Sequence, residues 1–140
     1  MDRLTMTAVI LHLSDIHIKT AQDLILKRSA DIAVCVYSSL STASQVFIVL
    51  SGDIAYSGTA TQYNFANIFL RNIRETIQNE KNIPVTFIIV PGNHDCDFNL
   101  DSGARKSLVK SLEGDEPPEV DESIVKVCTE IQKPFFDFRE

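Results

Sequence analysis

The chain has 140 residues, 44% of them hydrophobic and 23% charged, and nineteen acidic residues against thirteen basic ones give a net charge of −6. That is the balance of one ordinary globular domain, and it excludes wholesale disorder and collagen-like repeats. An acidic chain also lacks the clustered cations that non-specific nucleic-acid binding requires, although bound metal ions can invert the local field around a phosphate.

No apolar run reaches the roughly 18–20 residues that span a bilayer, so no membrane is expected as a partner. The three cysteines, Cys35, Cys96 and Cys128, contain no Cys-x-x-Cys pair. The expected compartment is therefore the reducing cytoplasm, without a disulfide framework.

Three short apolar runs read as strands: Ala8 to Leu13, Val46 to Leu50, and Val85 to Val90. Each is nearly continuous instead of alternating, which predicts strands buried on both faces. Between the first two, Leu26, Ala30, Ala33, Tyr37 and Leu40 recur at helical spacing. Between the second and third, Ala66, Phe69, Leu70, Ile73 and Ile77 do the same. Thr59-Ala60-Thr61-Gln62 fits a capping box at the start of that second helix. The order β-α-β-α-β implies right-handed crossovers and a largely parallel sheet.

Beyond residue 97 the pattern changes. Phe98 to Gly103 reads as loop, and Ala104, Leu108 and Leu112 as a short helix. Glu113 to Glu119 is acidic, interrupted by Pro117 and Pro118, and predicts an exposed connection. Val120, Ile124, Val127, Cys128 and Ile131 predict a last helix, stopped by Pro134.

Each strand runs into a polar cluster: Ser14-Asp15-Ile16-His17, Ser51-Gly52-Asp53, and Pro91-Gly92-Asn93-His94-Asp95. Parallel strands bring their carboxyl ends to one edge of the sheet, where ligands of α/β folds bind. Asp15, His17, Asp53, Asn93 and His94 should therefore converge. Two carboxylates, an amide carbonyl and two imidazoles suit Mn, Fe or Zn better than Ca. A shared carboxylate can also bridge two metals about 3.5–4 Å apart, a spacing suited to displacement at phosphorus.

Asp15-x-His17, Gly52-Asp53-x-x-x-x-Gly58 and Gly92-Asn93-His94-Asp95 resemble, in order, the first three signature blocks of the calcineurin-like metallophosphoesterases. The phrasing Leu13 to His17 and Gly52 to Gly58 is similar to the branch that contains cyclic-nucleotide phosphodiesterases. The resemblance implies a four-layer α/β/β/α sandwich, of which residues 1–140 would be the truncated N-terminal part. The motif-bearing core would span about residues 7–97, and a helical and loop segment about residues 98–140.

The resemblance further implies two divalent metal ions (Mn, Fe or Zn, with Mg as a further candidate). Asp15 and His17 would bind the first, Asp53 would bridge both, and Asn93 would bind the second. His94 would stabilise charge or protonate the leaving oxygen, with Asp95 orienting it. A hydroxide activated by the two metals would attack phosphorus in line, hydrolysing a phosphodiester. The implied partner is a phosphate-ester substrate, with nucleotides among the candidates.

The chain holds only His12, His17 and His94, so the family's later Gly-His-x-His block has no counterpart here. Self-association or a longer parent chain is expected to complete the domain. The alternatives are a non-catalytic metal- or phosphate-binding module, and an enzyme whose remaining ligands come from another chain.

Of the residues near these motifs, His12 reads as a sheet-face histidine. Cys35 and Cys128 read as core fillers, and Cys96 as a small, partly buried residue. Packing is the expected role of Tyr56 and Tyr63, and contact with a substrate ring is the alternative.

Overall fold

The computed structural model describes residues 7–139, so residues 1–6 and 140 of the expected domain lie outside it. Three strands, β1 (Ala8–Leu13), β2 (Gln45–Ser51) and β3 (Val85–Val90), form a parallel sheet in the order β1-β2-β3. The register pairs Leu13 with Leu50 and Ser51 with Val90, which aligns the carboxyl ends.

The helices are α1 (Ser29–Val34), α2 (Tyr37–Leu40), α3 (Ala60–Glu80), α4 (Gly103–Leu112), α5 (Glu122–Thr129) and α6 (Lys133–Arg139). Helix α3 is the main covering element and packs against both α1 and α6. Its stripe of Ala66, Phe69, Leu70, Ile73 and Ile77 is buried, as its spacing predicts. The Thr59 hydroxyl accepts from the Gln62 amide N–H at 3.5 Å. The reciprocal half of the capping box is redirected, since Gln62 Oε1 accepts from Ser57 N at 2.9 Å.

The strands are not buried on both faces. Val46, Ile48 and Leu50 are fully buried under the helices, joined there by the partly buried Val9, Leu11, Leu13, Val85, Phe87 and Ile89. The alternate residues face away. Ile10 remains 67% exposed, Ile88 48% and Val90 49%. Continuous apolar runs thus mark strands with one covered face and one apolar face without a layer over it among the described residues. His12 stands on that open face and hydrogen-bonds Ser51 Oγ through Nε2 at 2.7 Å.

The first predicted helix is broken. A 3-10 turn over Leu24–Arg28 precedes α1, and α2 follows after a turn. The buried positions are Ser29, Ala33, Val36 and Leu40, while Ala30 points outward. Lys81 ties down the end of α2 and the turn after it: its ammonium donates to the Leu40 carbonyl at 2.6 Å and to the Ala43 carbonyl at 2.8 Å.

Phe98–Leu100 forms a 3-10 turn where loop is predicted, and Ser102 caps α4. Val120 lies outside α5, which Asp121 caps. Pro134 does not stop a helix; it lies in the first turn of α6, where its missing N–H has no partner to lose. Cys35 is exposed and no core filler, Cys128 is half-buried and Cys96 is buried.

Candidate metal centre

The site is built where the loops after the three strands meet. The loop after β1 runs alongside the loop after β2. Asp15 N donates to the Gly52 carbonyl at 3.3 Å, His17 N to the Asp53 carbonyl at 2.9 Å, and Ile18 N to the Ile54 carbonyl at 3.0 Å. Asp15, His17 and Asp53 all occupy the left-handed region, with φ of 54°, 51° and 54°. Non-glycine residues there cost of order 1–3 kcal/mol each, and such strain concentrates at functional sites.

Two glycines allow the third loop to close on the second. A Cβ on Gly92 would lie 2.1 Å from Asp53 Oδ1, and one on Gly52 would lie 2.9 Å from Gly92 Cα. Only glycine permits this approach. The backbone N–H of His94 then donates to Asp53 Oδ1 at 2.8 Å.

The result is a cluster in which ligand atoms of His17, Asp53 and His94 lie within 4.8 Å of one another. The two imidazoles meet edge to face at 4.7 Å between centroids. Asp15 stands at the rim, largely exposed, 3.8 Å from His17 Nε2. Asn93 is exposed on the turn between Gly92 and His94.

The donor set fits a cation. His17 Nδ1 is buried and has no hydrogen-bond partner among the described residues. An imidazole nitrogen in that state normally finds a donor, an acceptor or a metal. Imidazole and carboxylate together suit a first-row divalent ion. His17 and Asp53 would hold it with His94 beside them, and Asp15 and Asn93 stand at the margin.

Asp95 departs from expectation. Its side chain is fully buried and does not orient the His94 ring. Its carboxylate accepts from Ile54 N at 3.2 Å, Ala55 N at 2.9 Å, Gly92 N at 2.9 Å and the Tyr63 hydroxyl at 2.9 Å. The physical reason is local. The turn at Gly92 folds the carboxylate inward, where the Gly92 N–H of its own loop meets the Ile54 and Ala55 N–H groups of the loop after β2. Asp95 thus clasps the loop carrying Asp53 to the loop carrying His94. Burial, and then the Asp95 carboxylate beside it, push the Tyr63 phenol well above its ordinary value, so it remains a donor.

What orients His94 is Tyr56. His94 Nδ1 lies 2.8 Å from the Tyr56 carbonyl, and the two rings stack at 5.6 Å with 30° between planes. A carbonyl can only accept, so Nδ1 carries the proton of this bond. The Lys19 ammonium sits 3.9 Å over the Tyr56 ring. Tyr56 is therefore part of the site wall and 44% exposed, whereas Tyr63 is core. Sequence motifs gave no signal for a main-chain carbonyl as the partner of His94, because every residue type supplies one.

Three converging strand ends, a left-handed Asp-x-His turn and a Gly-Asn-His turn closing on a shared aspartate define a candidate metal site on an α/β scaffold. A family model described as calcineurin-like phosphoesterase matches residues 8–131. The chain belongs to that family, whose general chemistry is metal-dependent hydrolysis of phosphoesters. Comparison with curated proteins and with solved structures gives no match. No described helix is long and apolar enough to cross a membrane.

Proposed function

We propose that this chain carries the amino-terminal half of a dinuclear phosphodiesterase site, in the branch that contains cyclic-nucleotide phosphodiesterases, and that it acts in the cytoplasm. The observation behind the reading is the convergence of His17, Asp53 and His94 from three separate strand ends. In this reading Asp15, His17 and Asp53 hold one divalent ion, and Asp53 and Asn93 begin a second place. Mn, Fe, Zn or Mg would supply a Lewis acid and an activated water when bound.

The chain's own groups do the rest. The His94 N–H holds Asp53 Oδ1 toward the cluster. The Tyr56 carbonyl fixes His94 through Nδ1, leaving Nε2 to face the ester. As an imidazolium, His94 gives its Nε2 proton to the departing oxygen. The apolar sheet face around Ile10, Ile88 and Val90 supports the view that a further layer, from a longer chain or from self-association, completes the domain.

The test is metal content per chain by elemental mass spectrometry after Mn loading and desalting. The expected result is about one Mn per chain, lost in Asp53→Asn. No retained metal would overturn the metal-site reading. Close to two on a monomer, with mass checked by sedimentation velocity, would overturn the half-site reading, since one chain would then complete the centre alone.

A further inference from the structure

A cavity of about 510 Å³ lies between α3, α6 and the edge strand β3, and it shares no residue with the cluster of His17, Asp53 and His94. Arg71 and Arg74 line it from α3, Phe138 and Arg139 from α6, and Phe87 and Ile89 from β3. Arg71 and Arg74 stand one turn apart on one face of their helix. Three of the five described arginines thus gather in one cavity of a chain whose net charge is −6.

The other two arginines are neutralised, Arg28 by Asp31 at 2.8 Å and Arg105 by Asp101 at 3.0 Å. None of the three in the cavity makes an ion pair among the described residues. The Arg74 guanidinium lies over the Phe87 ring, 4.5 Å from its centroid, and that of Arg139 lies 5.4 Å from the Phe136 centroid. A guanidinium on a ring face keeps its in-plane N–H donors free for a planar oxyanion. Three like charges over apolar walls repel one another, and a bound anion relieves that repulsion. The volume falls within the roughly 300–1,000 Å³ of small-ligand sites. Three cations are too few for a nucleic-acid backbone, which needs a longer basic track.

We propose that this cavity binds a small oxyanion of two or more negative charges carried on a ring or similar apolar body. Arg71, Arg74 and Arg139 hold the charge, and Phe87, Ile89 and Phe138 hold the body. Dicarboxylates and phosphoryl groups share this head-group chemistry. The lining contains no carboxylate, imidazole, thiol or hydroxyl, so the ligand is bound there and not turned over. The inference is independent of the phosphoester reading above, since none of the candidate metal ligands lines the cavity.

The experiment is a ¹H–¹⁵N NMR titration of the chain in mildly alkaline buffer, following the arginine Nε–Hε groups as well as the backbone. Phthalate and phenylphosphonate carry both a ring and a double charge; succinate lacks the ring, and benzoate lacks the second charge. The expected result is a Kd of about 1 mM or tighter for phthalate or phenylphosphonate. Succinate and benzoate should bind about tenfold more weakly. The shifts should fall at Arg71, Arg74 and Phe87. Arg71→Gln and Arg74→Gln, both at exposed positions, should keep the spectrum of the folded chain and each weaken binding about tenfold. A preference for phthalate assigns a carboxylate ligand, and one for phenylphosphonate a phosphoryl ligand. Shifts confined to the loops of His17, Asp53 and His94, unchanged affinity in both arginine variants, or no saturable shift with any probe would each overturn the proposal.

Discussion

Replacing Asp95 by alanine removes the acceptor of four hydrogen bonds, three from backbone N–H groups and one from Tyr63. The side chain is fully buried, so water does not readily replace it. Each donor left without a partner costs about 1–3 kcal/mol. The recovered solvation of the carboxylate offsets part of the sum, leaving a net loss of about 3 kcal/mol or more. That is a large share of the roughly 5–15 kcal/mol by which a domain is stable.

Urea unfolding followed by circular dichroism measures the effect. With a slope of about 1.5 kcal/mol per molar, the midpoint should fall by about 2 M or more. Tyr63→Phe is the companion variant. It removes one donor and leaves no orphan N–H group, so about 1 kcal/mol is expected. Metal retention should fall with Asp95→Ala, because the loops of Asp53 and His94 lose their clasp. A loss below about 1 kcal/mol for Asp95→Ala would refute the reasoning, since orphaned buried donors cannot be that cheap.

Gly92→Ala should lower stability by about 1–3 kcal/mol and displace Asp53, because the added Cβ meets its Oδ1 and backbone N. Gly103→Ala is the control: nothing lies within 4 Å of its Cβ, and thermal unfolding should shift little. The backbone N–H of Lys19, helped by Thr20, holds the Asp23 carboxyl below its ordinary value of 3.8. A depressed folded value means a contribution present above pH 3.8 and lost as pH falls through the folded value. Asp23→Asn should therefore reduce stability at pH 6 and have little effect in strong acid, measured by urea titration at both. Ile10→Lys should change stability by no more than about 0.5 kcal/mol, since its side chain is exposed. It should also reduce any self-association seen by sedimentation velocity; unchanged association would place the contact elsewhere.

Much of the scaffold was legible in the chain because its signals are local. The stripe on α3 and the three apolar runs follow from periodicity, and the strand-end clusters follow from parallel topology. The break in the first helix is not legible, because its repeat is short and Ala30 fits either side of a helix. Nor is the place of Pro134, because a proline ends one helix and opens the next with equal ease. The open strand face is hidden too, because an apolar residue has the same identity whether or not a layer covers it.

At the candidate site, the residue types and their order along the chain were set by sequence alone: Asp-x-His, Gly-Asp and Gly-Asn-His-Asp at three strand ends. Which of those side chains meet was decided only in three dimensions. His17, Asp53 and His94 come within 4.8 Å, whereas Asp95, one residue beyond His94, turns inward and becomes a structural clasp. The physical reason is that adjacent residues on a tight turn point in different directions. Which of them faces the cavity depends on where neighbouring loops offer N–H groups, and tertiary packing alone places those.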